Sequence, residues 1–129
     1  MTIDCTCIVE VLEIIQGQTR KPIIQLFFEK TKEPFDFTGM DNAGNGDEIK
    51  ALFVKTDGTL LEKLWTDGAG DIAILSEAGG KIQIQLSVAD TDLLKTGEKQ
   101  DFEIEIIKDT ETFIEKFEQK LTVVERVGQ

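Results

Sequence analysis

The sequence predicts an all-β fold in which antiparallel strands pack as a sandwich, and three observations support that prediction. Apolar and polar residues alternate over most of the chain, which is the period of two expected of half-buried strands. Glycine-containing turns such as Asp57-Gly58 and Gly79-Gly80 separate the alternating runs. Only one short stretch, 90–94, has helical spacing, with Asp90 as its predicted N-cap.

The first third of the chain supplies two predicted strands and a loop. The opening strand spans 3–11, runs on toward Ile15 and is closed by Gly17. A second apolar run lies at 23–28. Gly39, Gly44 and Gly46 lie among small polar residues and predict that 40–47 is a surface loop without regular structure. The side chains of the opening strand that are predicted to face one way, as its apolar side, are Ile3, Cys5, Cys7, Val9 and Val11.

The rest of the chain supplies the remaining strands. They are predicted at 49–55, 60–65, 71–75, 81–88, 102–106 and 113–124. The spacing of the last one is ambiguous, because Phe113, Phe117 and Leu121 recur every four residues, which fits a helix as well as a strand. A strand is predicted there because residues 121–124, Leu-Thr-Val-Val, favour extended backbone. Roughly eight strands at this spacing are typical of a β-sandwich or a small barrel. No linker or repeat divides the chain, so residues 1–129 are predicted to form one domain.

The composition argues against most catalytic chemistry. The chain has no His and only two Ser and two Cys, so one copy cannot assemble a Ser–His or Cys–His nucleophile pair. The same scarcity excludes a zinc-type cluster of His and Cys. Carboxylate pairs stay open among the 25 acidic residues, but nothing singles one out. We therefore predict no enzyme activity, and no catalytic, cofactor-binding or metal-binding residues.

Charge and hydropathy narrow the choice of partners. The net charge of −11 disfavours nucleic acid, because phosphates would be repelled. No run of 18 apolar residues predicts a membrane span, and the N-terminus lacks the pattern of a cleaved export signal. Cys5 and Cys7 lie two residues apart on a predicted strand, where a disulfide would be strained. They are interpreted as small apolar residues in a reducing compartment.

Three features invite a binding function. Gly79-Gly80-Lys81 leads into a strand instead of a helix, so it is not a phosphate loop. The acidic loop 41–48 has oxygen donors for calcium, but Ala43 and Leu52 break the EF-hand register, which favours a solvated loop and leaves an irregular site open. Trp65, the sole Trp, is predicted to lie in the core or an interface in preference to a carbohydrate platform.

The order of several short motifs carries a family resemblance over residues 14–126. The motifs are Ile15-Gln16-Gly17, Asp36-Phe37-Thr38-Gly39, a strand ending in Asp57-Gly58, the alternating stretch Gly80–Leu86, the turn Asp90–Gly97 and the strand Phe102–Ile106. This order resembles a β-sandwich domain of tailed-phage tail and baseplate proteins, similar to the N-terminal domain of baseplate upper proteins. The long acidic loop 40–48 departs from that family, whose members turn more tightly there.

The resemblance implies a single antiparallel, immunoglobulin-like sandwich of about eight strands that serves as a virion structural or assembly protein. It implies other phage structural proteins as partners, a homo-oligomer with a trimer favoured, and location in the virion and, during assembly, the bacterial host cytoplasm. Strands 3–11 and 113–124 are predicted as the sheet edges available for pairing. Two alternatives stay open: a carbohydrate- or calcium-binding sandwich, and an acidic inhibitor that covers a basic partner.

Overall fold

The computed structural model describes residues 3–4, 11–28, 30–66 and 69–126. Strands dominate it, which confirms the predicted all-β, immunoglobulin-like fold class. In chain order the elements are β1 (Ile3–Asp4), β2 (Leu12–Ile15), β3 (Ile23–Gln25), β4 (Phe27–Phe28), α1 (Asn42–Asn45), β5 (Glu48–Val54), β6 (Leu60–Thr66), β7 (Ala69–Gly70), β8 (Ile72–Ser76), β9 (Lys81–Ile84), α2 (Val88–Leu93), β10 (Gly97–Lys108) and β11 (Glu111–Val124).

Two larger sheets form the sandwich. One has six strands in the order β2-β11-β10-β5-β6-β7, and the other has three in the order β3-β9-β8. A short two-stranded pair, β1 with β4, stands beside them. Among the described strands, β2 pairs with β11 in parallel, with Leu12 opposite Leu121, and the other pairings are antiparallel. A parallel pair cannot be joined by a hairpin, which agrees with the distance between β2 and β11 in the sequence.

The core forms where the apolar faces of the two large sheets meet. Strand β5 shows the alternation clearly, since Ile49, Ala51 and Phe53 are buried and the residues between them are not. The rings of Phe53 and Phe102 stack with centroids 5.5 Å apart, and Phe102 stacks on Phe117 at 4.5 Å. A second aromatic group joins Phe28, Phe35, Phe37 and Phe113. Stacked and edge-on rings of this kind add stability beyond the area that they bury.

The last segment is a strand, as predicted. Strand β11 runs antiparallel to β10, with Phe113 opposite Ile106 and Phe117 opposite Phe102. However, β11 lies between β10 and β2, so the prediction that 113–124 is a sheet edge is wrong. The described edges of the six-stranded sheet are β2 and β7. The sequence shows that a strand is half-buried, but it does not show which strands flank it.

The opening strand differs from the prediction at its end. Val11 is 44% exposed, whereas Leu12 and Ile14 are buried. The side chains that face the core therefore have even numbers in β2, and the predicted inward position of Val11 is wrong. Pairing of β2 with β11 fixes this register, because it places Leu12 beside the buried Leu121. The predicted positions of Cys5, Cys7 and Val9 fall outside the described residues.

Two segments predicted as strand or loop contain short helices. Strand β9 ends at Ile84, and Val88, the last residue of the strand predicted at 81–88, is half-exposed at the start of α2. Ser87, and not Asp90, is the N-cap of α2. The Ser87 Oγ accepts a hydrogen bond from the Asp90 N–H, and the Asp90 Oδ2 accepts one from the Ser87 N–H, which is a capping box. Similarly, 40–47 contains the single turn α1, capped by Asp41.

Candidate functional site

The outer face of the six-stranded sheet is the first candidate interaction surface. Side chains on β5, β6, β10 and β11 that alternate with the core residues point to this side. The apolar ones, which we call the outer-face cluster, are Leu52, Val54, Leu60, Leu64, Ile107 and Ile114. Leu60 is 52% exposed, Ile114 48% and Leu64 37%. Partly exposed apolar side chains grouped on one sheet face are typical of a protein-contact surface.

Charged side chains of both signs lie between the apolar residues of this cluster, with Lys50 and Glu105 separating Leu64 from Ile114. Lys50 is directly opposite Glu105 in the β5–β10 pair, and Lys116 is opposite Glu103 in the β10–β11 pair. Lys116 Nζ lies 3.5 Å from Asp101 Oδ2. Opposite charges on neighbouring strands allow this part of the surface to complement another of the same kind.

The loop end of the sandwich is held by a buried carboxylate. Asp47 is fully buried, and its Oδ2 accepts a 2.8 Å hydrogen bond from the Asp41 N–H. Its Oδ1 accepts a 3.0 Å bond from the Asp109 N–H in the β10–β11 turn. The Asp41 carboxylate accepts from the Gly44 N–H and so caps α1. Loop 41–48 is therefore an ordered connection, in which residues 43–46 are exposed to solvent, as expected from the sequence.

These contacts bear on the calcium alternative. Both Asp47 oxygens already bond to backbone N–H groups, and Asp41 serves as a helix cap. Within the described residues, no group of three or more His, Cys, Asp and Glu side chains could hold a metal ion. What holds these carboxylates in place is backbone hydrogen bonding, so their arrangement is explained by folding.

The motif Asp36-Phe37-Thr38-Gly39 also has a structural explanation. The Asp36 carboxylate accepts a 2.9 Å hydrogen bond from the Thr38 N–H, and hydrogen bonding by Thr38 lowers the pKa of Asp36. Phe37 between them is buried, and Gly39 has a φ of 80°, which favours glycine. Lys108 Nζ donates to the Asp36 carbonyl at 2.6 Å. The motif thus turns the chain and anchors Phe37 in the core.

A buried ion pair joins β6 to α2. Lys63 is only 6% exposed, and its Nζ lies 2.6 Å from Asp90 Oδ2 and 3.4 Å from Asp71 Oδ1. Burial raises the pKa of Asp90, but hydrogen bonds from Lys63 and Ser87 outweigh that effect and lower the pKa below the ordinary value of 3.8. These groups line a polar cavity of about 420 Å³. Each of these charges has a partner, so contacts within the fold explain their arrangement.

A second, more apolar cavity of about 430 Å³ opens at the side of the sandwich, between β6 and β8. We call it the Trp65 cavity. Trp65 is 8% exposed, which confirms its predicted place in the core, and it also forms part of this wall. The other lining residues are Phe37, Met40, Thr66, Gly70, Ile72, Ala73, Ile74, Glu77 and Gln85. Gln85 lines the polar cavity as well, so the two cavities adjoin.

The sequence did not identify these side chains as functional, although one signal was present. Lys63 alternates with Leu61 and Trp65 on a predicted strand, so its inward orientation could be inferred from strand periodicity. The burial of Asp47 and the placement of Glu77 beside Trp65 depend on contacts between distant segments. The described chain contains no helix long and apolar enough to cross a membrane.

Comparison with known proteins places the fold. No family model matches the sequence, and no curated protein matches it. Among solved structures, bovine butyrophilin matches with a TM-score of 0.50 and 9% identity, covering 97% of this chain and 55% of that chain. The RIG-5 IG1 homodimer structure matches with a TM-score of 0.47 and 5% identity, covering 98% of this chain and 100% of that one. This chain thus spans about half of the butyrophilin chain.

The fold is an immunoglobulin-like sandwich. In the variable type of this fold, strands C′ and C″ extend the sheet formed by G, F and C. The order β11-β10-β5-β6-β7 follows that arrangement, and β3-β9-β8 corresponds to B, E and D. The inter-sheet disulfide of antibody domains cannot form here, because the two Cys are at positions 5 and 7, outside β3 and β10. Packing of Phe53, Phe102 and Phe117 lies at the centre instead.

Proposed function

We propose that this chain is a non-enzymatic protein that acts through protein–protein contacts made by the outer face of its six-stranded sheet. The observation that carries the proposal is the outer-face cluster, in which Leu60, Leu64 and Ile114 are each more than a third exposed. The opposite face exposes two large apolar side chains on its described strands, Ile23 at 55% and Leu75 at 48%, among Gln25, Lys81 and Gln83. Burial of the cluster against a partner is worth about 25 cal/mol per Å² of apolar surface.

The role proposed for these contacts is structural, in the tail or baseplate of a tailed phage. The motif order from Ile15 to Ile106 supports it, as does the immunoglobulin-like sandwich that the resemblance implied. The partners are other phage structural proteins and further copies of this chain, and the resemblance favours a trimer. The protein would be found in the virion and, before assembly, in the cytoplasm of the bacterial host.

Quantitative mass spectrometry of purified virions tests the structural role. A structural protein is expected at a fixed, stoichiometric copy number relative to the known tail proteins, and it should remain after a salt wash of the particles. A protein present in the infected cell but absent from purified virions would contradict a virion role. If the protein is present in virions, antibody labelling in electron micrographs would locate it on the tail.

A further inference from the structure

The Trp65 cavity combines apolar walls with one charged group. Trp65 and Phe37 supply aromatic surface, and Met40, Ile72 and Ile74 supply aliphatic surface. Its volume of about 430 Å³ lies within the range of protein binding sites. The cavity belongs to the side of the sandwich, so its occupant would not compete directly with a partner on the outer face.

Among the described residues, Glu77 is the only ionisable one that lines this cavity. Its main-chain carbonyl accepts hydrogen bonds from the Phe37 and Gly80 N–H groups, which fixes the residue beside the aromatic wall. Its carboxylate has no hydrogen-bond or ion-pair partner among the described residues, unlike those of Asp47 and Asp90. An acidic group beside aromatic and aliphatic walls is complementary to a cation that has an apolar stem.

The geometry points to the Trp65 cavity as the receptor for an arginine side chain presented by a basic partner protein. The inference rests on the proposed function in one respect, that the chain works through protein contacts. The methylene stem would lie along Ile72, Ile74 and Met40. The guanidinium would bond to the Glu77 carboxylate beside the aromatic side chains. The net charge of −11 would draw a basic partner toward this surface.

Arginine fits this site better than lysine or a purely apolar side chain. The planar guanidinium packs on aromatic surface and bonds a carboxylate through two N–H groups. The guanidinium is also more weakly hydrated than an ammonium group, so it loses less hydration free energy when it packs against apolar side chains. An apolar side chain would gain nothing from the Glu77 carboxylate at the cavity wall. Arginine side chains in pockets of this kind are frequent anchors of protein interfaces.

The test uses three blocked tripeptides, acetyl-Gly-X-Gly-amide, in which X is arginine, lysine or citrulline. Citrulline has nearly the shape of arginine but no charge, and lysine has the charge without the planar group. Trp65 is the sole Trp and the chain has no Tyr, so its fluorescence reports directly on this cavity. The arginine peptide should change the emission with saturation at about millimolar concentration, as expected of one anchor side chain. Binding of the other two should be at least about fivefold weaker.

Variants separate the site from the general attraction of an acidic protein. Glu77→Gln should weaken arginine binding by about fivefold to tenfold, and Glu77→Lys should abolish it. Glu98→Gln and Glu98→Lys make the same charge changes at an exposed position that does not line the cavity, and they should leave binding unchanged. Both positions are exposed, so all four variants should fold like the parent chain.

Several results would overturn the inference. One is equal binding of the arginine and citrulline peptides, which would make the cavity an apolar site without charge selection. Others are full binding by Glu77→Gln, and equal loss in Glu77→Gln and Glu98→Gln. Absence of any saturable response would also refute it. Peptide binding by a chain that is absent from virions would refute the phage role alone, whereas a virion protein that ignores the peptides would refute the arginine site alone.

Discussion

At the scale of single residues, Asp47, which directly precedes β5, holds two other segments of the loop end. One carboxylate oxygen accepts from Asp41, next to α1, and the other from Asp109, in the β10–β11 turn. Asp47 is fully buried, so its side chain has no contact with bulk solvent. The chain therefore uses an acidic side chain as a structural acceptor for N–H groups that would otherwise be left without partners.

Replacement of Asp47 by Ala should destabilise the protein by about 2–3 kcal/mol, because two charge-assisted hydrogen bonds are lost and their donors remain. Asp47→Asn should also be costly, since its amide group places an N–H donor against one of the two backbone donors. Urea unfolding followed by circular dichroism measures the change. Asp92→Ala, at an exposed position, is the matched control and should have little effect. An Asp47→Ala protein as stable as the parent would contradict the proposed role.

The ion pair between Lys63 and Asp90 should make stability depend on pH. The folded-state pKa of Asp90 is below the ordinary 3.8, so its contribution is fully present above that value and is lost as the pH falls through the lower folded-state pKa. Asp90→Asn should therefore cost about 1–2 kcal/mol near neutral pH and distinctly less at about pH 3. Urea midpoints of both proteins across this range measure the difference. A cost that does not change with pH would exclude the ion pair as its cause.

At the scale of elements, the strands with clear alternation could be predicted, and the short elements could not. Strands β5, β10 and β11 each have one apolar face, and the structure places them where the sequence predicts. The helix α2 begins earlier than predicted. The apolar alternation of the sequence continues to Val88, but the capping box of Ser87 starts the helix at that residue. The helix α1 is a single turn that depends on the Asp41 cap. It has no buried residues, so no apolar periodicity in the sequence predicts it.

The tight turn between β10 and β11 is a strained element. Asp109 has a φ of 51° and Thr110 a φ of 68°, the left-handed region that a two-residue hairpin turn requires. A β-branched residue is costly there, so Thr110→Gly should stabilise the protein by about 0.5–1 kcal/mol. Thr112→Gly, two residues later in β11, is the matched control. It should destabilise, because glycine weakens an extended strand. Thermal unfolding compares the two, and a lower melting temperature for Thr110→Gly would contradict the strain.

At the scale of the whole molecule, the sequence predicts the class of fold but not the order of the strands. Alternation shows that Phe113 and Ile114 face opposite sides of a sheet. It does not reveal that β2 pairs with β11 and makes β11 an interior strand of that sheet. The outer-face cluster has the same origin. Its side chains come from four strands, and only their pairing brings Leu64, Lys50, Glu105 and Ile114 into one row across the sheet. Interaction surfaces of this kind depend on long-range pairing, which no local pattern specifies.

The outer-face cluster should drive association of the chain with copies of itself. Light scattering coupled to size-exclusion chromatography should show an oligomer at micromolar concentration. Leu64→Glu and Ile114→Glu should reduce its mass, because each places a further acid in an apolar contact between acidic subunits. Leu75→Glu makes the same change at a half-exposed leucine on β8, in the other sheet, and should leave the mass unchanged. Equal loss from all three would show that added charge alone disperses the oligomer.

Salt should distinguish an apolar contact from an ionic one. Subunits of net charge −11 repel each other, and salt screens that repulsion over about 10 Å at 0.1 M. If burial of Leu60, Leu64 and Ile114 supplies the attraction, association should strengthen or stay constant between low and moderate salt. If the attraction came instead from ion pairs between Lys50 or Lys116 and acidic residues of a second copy, raising the salt concentration would dissociate the oligomer. A mass that falls as salt rises would therefore assign the contact to these charges and reject the apolar cluster as its source.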